Sequence, residues 1–184
     1  MMKIRKENGI SLVELMVVIS IVAILVGFTS VGRDVIRRGQ VMGAAKQLLA
    51  DLQHARMDAM TQDSRGFGIR FASSKSYAVF QFNDCNNDFN YDAGTCPGGT
   101  REEANPVLRT LPGTVILNKS DLKTDISNEV RIFDRFGRSR QETGGVGGIT
   151  VIVSDSATPG MVHCIKISAS RVIEGRWNGG ECTM

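Results

Sequence analysis

The chain has 184 residues, of which 42% are hydrophobic and 22% charged, with 20 glycines. That length holds one domain of ordinary size with or without an appendage, since domains cluster near ~100 to 150 residues, and it excludes a large two-domain catalyst; the composition excludes a wholly disordered chain. With 22 Lys+Arg against 19 Asp+Glu the formal charge is +3, far short of a dedicated nucleic-acid wrapper.

Residues 1–9, MMKIRKENG, form a short leader containing Lys3, Arg5 and Lys6, the pattern of an export signal's n-region. Residues 10–28, ISLVELMVVISIVAILVGF, follow with Glu14 as their only charge. As a helix the segment spans about 28 Å, enough to cross the hydrocarbon core of a bilayer. An ordinary secretory signal is cut after its apolar stretch at a small-x-small site, whereas here the small residue, Gly9, stands before it. An ionised side chain in a membrane helix costs ~2.5 to 3.5 kcal/mol at mid-bilayer, so Glu14 asks for a cation. Cleavage between Gly9 and Ile10 would create one: an N-terminal amine, reference pKa ~7.7 to 8.0, mostly protonated at neutral pH and one helical turn from Glu14. Uncleaved, the same residues describe a plain signal anchor or a buried core helix.

Gly9 followed by ISLVELMVVISIVAIL closely resembles the N-terminus of type IV prepilins and type II secretion pseudopilins. The resemblance implies cleavage between Gly9 and Ile10 by a prepilin peptidase/methyltransferase, methylation of Ile10, and a subunit-assembly role for Glu14, the fifth mature residue. The family most often has Phe where this chain has Ile10. Implied partners are other pilin or pseudopilin subunits, the inner-membrane assembly platform and, before assembly, membrane lipid. The implied location is the inner membrane, single-pass with the C-terminal domain in the periplasm, then a periplasmic filament, its tip included. The leader carries three basic residues and one acidic, so its removal lowers the formal +3 to +1, and basicity stops pointing to any partner. Arg33, Arg37 and Arg38 balance the leader's cations, so the positive-inside rule does not set orientation.

Residues 29–62 read as the second half of the same helix, running from about residue 10 to 61. Val41, Ala45, Leu48, Leu52, Ala55 and Ala59 recur at helical spacing, with Lys46, Gln47, Asp51, Gln53, Arg56 and Asp58 opposite. This half is therefore amphipathic and should pack on a globular domain. Gly27, Gly32, Gly39 and Gly43 loosen the junction at roughly 1 kcal/mol each relative to Ala.

From residue 63 to 184 the period changes to two. Phe67, Ile69 and Phe71 alternate with Gly68, Arg70 and Ala72, residues 73–75 offer a turn, and 77–82 read as the returning strand of a hairpin. Further strands are expected at 107–111, 115–117, 129–133, 149–153 and 162–168, with 144–148 as a loop. The expected fold is α+β: one long N-terminal helix, transmembrane then amphipathic, packed on an antiparallel β-sheet. A pilin-like fold is also what the resemblance implies.

The four cysteines fall as Cys85 with Cys96 and Cys164 with Cys182, and none forms a C-x-x-C pair, which disfavours zinc and thioredoxin-like sites. In an exported domain two disulfides are expected, one closing a short loop and one stapling the C-terminal tail to a strand, although four cysteines allow three connectivities. Disulfides put the globular part in the periplasm. Between the first two, Asp84, Asn86, Asp88, Asn90 and Asp92 place oxygen on every second residue, as in the first half of a calcium loop. An EF-hand would need Gly where Phe89 stands and a bidentate carboxylate where Thr95 stands, and a cross-linked Asn/Asp-rich turn explains the same residues without calcium or any other cofactor.

Arg131, Arg135, Arg138 and Arg140 crowd one strand and its turn, and Arg171 and Arg176 lie near Trp177. Arg138, Arg140, Arg171 and Arg176 are candidate DNA contacts, since guanidinium groups beside aromatics can grip phosphates and bases; the competing reading is a solvated sheet face. His54 sits on the amphipathic helix and His163 on a strand face with Ile165 and Ile167. No H-E-x-x-H, G-x-S-x-G or P-loop string occurs, so no catalytic residue is nominated. The long helix, the β-domain, DNNDFNYD leading to PVLRTLP, and ISASRV near the end together resemble the GspH/FimT family of minor pseudopilins. Some FimT-type minor pilins carry Gly-Arg where this chain has Ser170-Arg171. The resemblance implies a non-enzymatic filament subunit of type II protein secretion or of a type IV pilus. Its alternatives are a FimT-like minor pilin binding DNA for uptake and, from another class, a signal-anchored periplasmic enzyme.

Overall fold

A computed structural model describes residues 11–61, 66–85, 91, 102–119, 125–142, 145–157 and 162–183, with backbone alone at 28–31. It divides into two compact units, Met1–Arg37 and Arg38–Met184. Helix α1, Leu12–Thr61, contributes to both. Within the first unit its large apolar side chains from Leu12 to Val26 are all 50 to 74% exposed. Within the second unit Val41, Ala44, Ala45, Leu48, Leu52, Ala55 and Ala59 are at most 3% exposed. The helical spacing read from the sequence is thus the spacing of the buried stripe, and Lys46, Gln47 and Gln53 lie on its exposed side.

The β-structure of the second unit comprises β1 (Gly66–Ser73), β2 (Ser76–Phe82), β3 (Glu103–Thr110), β4 (Val115–Lys119), β5 (Val130–Phe133), β6 (Ser139–Gln141), β7 (Ile149–Asp155), β8 (His163–Ile167), β9 (Val172–Trp177) and β10 (Cys182–Thr183). Among the described residues they form two five-stranded sheets, ordered β3-β2-β1-β5-β6 and β10-β9-β8-β7-β4, where the sequence suggested one. Every pairing is antiparallel. The division arises because β4 pairs with β7 rather than with β3, its neighbour in the chain. Strands β6, β9 and β10 also go beyond the expected set. Their residues, SRQ, VIEGRW and CT, carry no apolar alternation of their own and are held by their neighbours.

One core joins the helix to both sheets. The stripe of α1 meets Phe67, Ile69, Phe71, Tyr77 and Phe133 from the first sheet and Val115, Leu117, Val151, Val153, Ile165, Ile167 and Val172 from the second. A smaller cluster of Phe80, Phe82, Tyr91, Val130 and Ile132 covers the other face of the first sheet. Tyr91, alone described in its stretch, packs its ring 5.5 Å from Phe80, and its hydroxyl donates to Glu103 Oε2 at 2.6 Å. Burial first, then that hydrogen bond, pushes the Tyr91 phenol up to about 12. Arg70 closes the cluster by donating through Nε and Nη2 to the two oxygens of Glu103.

Candidate functional site

The first unit offers a surface rather than a cleft. An apolar helix on the surface of a water-soluble protein normally turns one stripe inward and one outward, but here the membrane-length window of α1 has none of its residues buried. Such a helix has to find lipid or other helices. Ser20 does not spoil this surface, because its hydroxyl donates to the Met16 carbonyl one turn back at 2.8 Å. Glu14 lies in the first turn of α1, where a carboxylate complements the helix dipole. Among the described residues it has no ion-pair partner. Gly9 and Ile10 lie outside the described residues.

The candidate arginines separate into two places. Asp134, whose side chain is 1% exposed, ends β5 and organises the turn to β6. Its Oδ1 accepts the backbone N–H groups of Phe136 and Arg138, and its Oδ2 accepts Arg138 Nε at 3.0 Å and Arg140 Nε at 3.1 Å. Burial works to raise the pKa of this carboxyl, but the bonds from Arg138, Arg140 and Phe136 outweigh it and hold the group below the usual carboxylate range. Gly137 closes the turn at φ +67°, where a side chain is disfavoured, and an added Cβ would lie 2.7 Å from Met60 Sδ. Its carbonyl accepts Arg56 Nε at 2.9 Å, which ties the turn to α1.

The turn thereby presents Phe136, 60% exposed, between Arg135 and Arg138, whose guanidinium carbons lie 4.9 and 5.0 Å from the ring centroid. Ser139 N–H donates to the Ala169 carbonyl, and Arg171 belongs to the neighbouring loop through Ser168. Arg138, Arg140 and Arg171 are therefore brought to one end of the domain. Arg176 is not; it lies at the far end of β9, paired across to His163. Arg131 belongs to neither place. Its side chain is 5% exposed and bonded to Glu129, which also holds Lys119, so the solvated-face reading fails at that position. Burial lowers the Arg131 pKa against the opposing effect of Glu129.

Cys164 is disulfide-bonded to Cys182, which fastens the two-residue β10 to β8 across β9. Cys85 is also disulfide-bonded, and Cys96 lies outside the described residues. Asp84 is half-buried at the start of the candidate calcium segment; Asn86, Asp88, Asn90 and Asp92 lie outside the described residues. Among the described residues no three His, Cys, Asp or Glu side chains cluster as metal ligands would. His54 is exposed on α1. His163 is nearly buried, with Nδ1 3.3 Å from Glu174 Oε1, a neighbour that sequence spacing could not supply because the two residues sit on adjacent strands. Asp134 was equally missed, although Asp followed three residues later by Gly is a turn signal that could have marked it.

Residues 4–30 match the family model described as the prokaryotic N-terminal methylation motif. The chain is therefore prepilin-like at its N-terminus, and its α+β architecture, a long apolar helix with antiparallel sheets, accords with that class. No curated protein matches the chain. Among solved structures it is similar to two crystal forms of the type IV minor pilin FimU of Pseudomonas aeruginosa PAO1, at 16% identity in each. Their TM-scores are 0.49 and 0.48, with 80% and 78% of this chain covering 95% and 97% of those chains.

Proposed function

We propose that the chain is a non-enzymatic minor pilin or pseudopilin, held in the inner membrane by residues 10–28 and then drawn into a periplasmic filament of type II secretion or of a type IV pilus. The observation that carries this reading is Glu14: the single carboxylate in the stretch from Leu12 to Val26, whose large apolar side chains are all exposed, inside the matched methylation motif. Packing of such helices supplies the cohesion of a filament. Glu14 supplies the register, because a carboxylate left unpaired in a low-dielectric bundle is costly, whereas one placed against the amine of a neighbouring Ile10 is neutralised. The prepilin peptidase creates that amine by cutting after Gly9. The disulfide between Cys164 and Cys182 suits a domain on the oxidising side of the membrane.

Replacing Glu14 by Ala tests the reading. Processing at Gly9 should continue while incorporation into sheared filaments falls at least tenfold; normal incorporation would sink the pairing. A bulky residue at Gly9 should instead trap the longer precursor. Deleting the chain then separates the two systems, by loss of protein secretion or loss of pili.

A second reading, DNA binding, is favoured by one observation: the exposed Phe136 held between Arg135 and Arg138, with Arg140 and Arg171 at the same end of the domain. Guanidinium groups neutralise phosphates, and an aromatic ring stacks on a base. In a mobility-shift titration of the full chain in detergent, Phe136→Ala with Arg135→Gln should weaken binding and flatten its salt dependence. Binding that ignores both changes dismisses this reading.

A further inference from the structure

The second sheet changes character along its width. Leu117, Val153, His163, Arg176 and Thr183 are partners in turn across β4, β7, β8, β9 and β10, so they share one face. Leu117 and Val153 belong to the main core, whereas the last three positions are polar. The adjacent row on the same face runs Val151, Ile165 and Glu174 and makes the same transition. Where the apolar face gives out, His163, Glu174, Gly175, Arg176 and Thr183 line a cleft of about 440 Å³.

Its walls are constructed rather than incidental. The disulfide between Cys164 and Cys182 holds β10 in place, and Thr183 Oγ1 donates to the Arg176 carbonyl at 3.1 Å. Gly175 permits this approach, since a Cβ there would collide with the Thr183 carbonyl oxygen. His163, 12% exposed, is fixed beside Glu174, while Arg176 is exposed and has no ion-pair partner among the described residues.

We propose that this cleft binds a carboxylate, with the Arg176 guanidinium as its principal donor, the His163 imidazole as the second, and Glu174 as the group that holds the imidazole in position. A guanidinium fork matches the two oxygens of a carboxylate in geometry and charge. Glu174 sets the selectivity, because it already places one negative charge in the cleft and repels a dianion such as phosphate more than a singly charged ligand. The site is independent of the filament reading, as none of its residues lies on α1. It would stand if Glu14 proved dispensable.

The chain has two histidines, and His54, exposed on α1, is a built-in control. With the full chain in detergent micelles and its imidazoles labelled with nitrogen-15, acetate is titrated at constant ionic strength against chloride. A saturable shift of the His163 resonances, absent from His54, is expected. Arg176→Gln should weaken the apparent affinity at least tenfold, while Arg171→Gln, which alters an arginine outside the cleft, should leave it unchanged. A parallel titration with a blocked Gly-Glu-Gly peptide distinguishes the source: tighter binding than acetate assigns the carboxylate to a polypeptide, and equal binding to a small free acid. Inorganic phosphate binding more tightly than acetate would overturn the assignment, as would equal shifts at both histidines or equal losses from the two arginine variants.

Discussion

The two stretches of α1 use apolar side chains in opposite ways. In the second unit the stripe from Val41 to Ala59 is closed against two sheets, so its hydrophobic free energy is realised within the chain. In the first unit the described apolar residues are more numerous and none of them is buried, so their hydrophobic free energy is to be realised in lipid or against other molecules. Sequence pattern already encodes the distinction: a stripe with a polar opposite face folds inward, and apolar character on all sides looks outward. On the proposed reading Glu14, within the outward-looking stretch, would report on assembly, whereas Asp51 and Arg56 of the other stretch report on the domain.

Leu48 provides the sharpest break of this comparison. Leu48→Ala removes a fully buried side chain from the main core and should cost about 2 to 5 kcal/mol of domain stability. Leu15→Ala, on the uncovered stretch, should leave that stability unchanged and affect only membrane retention or filament yield. The sole tryptophan, Trp177, lies in the second unit, so its fluorescence during chemical unfolding follows the domain without interference from the first stretch. Equal losses from the two substitutions would show that the uncovered stretch is packed within the chain after all.

Smaller effects follow from the devices that close the domain. Replacing Cys164 and Cys182 together by Ser frees β10 and removes the constraint on a sequence separation of 18 residues, at about 3 kcal/mol. Trp177, opposite Cys182 in the ladder, should report the change directly. Asp134→Ala leaves Arg138 and Arg140 without their shared acceptor and should cost about 1 to 3 kcal/mol. Because the folded-state pKa of Asp134 is depressed, its stabilisation is present above the unfolded value near ~3.9 and is lost as pH falls through the lower folded value. Stability measured against pH should therefore fall more steeply below about pH 4 in the parent chain than in Asp134→Asn. Parallel curves through that window would remove Asp134 from the acid response.

How much of this was legible depended on the range over which each signal acts. The membrane-length apolar stretch and the buried stripe of α1 could be read because hydropathy and helix periodicity are local in sequence. Strands β1, β2, β7 and β8 announced themselves by apolar alternation or short apolar runs. Strands β6, β9 and β10 did not, because a three-residue SRQ and a glycine-centred VIEGRW become strands only beside partners already in place. The same reason hid the pairing of β4 with β7, and it hid His163 beside Glu174, eleven positions apart and joined only by strand register. Arg131 was misplaced for a related reason: an isolated charge in a strand reads as solvent-facing until Glu129 and the core around it are known.

The smallest test concerns how the inward-looking stretch is locked. Tyr77 rises from β2 beneath α1, and its hydroxyl donates to Asp51 Oδ2 at 2.7 Å, with Arg109 Nε from β3 at 3.6 Å from the same oxygen. Burial of the phenol, reinforced by the carboxylate it donates to, raises its pKa well above the ordinary tyrosine value, so it remains a donor throughout the physiological range. Tyr77→Phe keeps the ring within the core and removes only this bond. The expected loss is about 0.5 to 1.5 kcal/mol, because Arg109 still faces the carboxylate and Asp51 retains some access to water. In a double-mutant cycle with Asp51→Asn the two changes should be non-additive, since both act on one bond. Additivity would mean that the Tyr77–Asp51 bond adds nothing to the contact of α1 with β2, and Arg56, bonded to the Gly137 carbonyl, would be left as a polar tie between the helix and the first sheet.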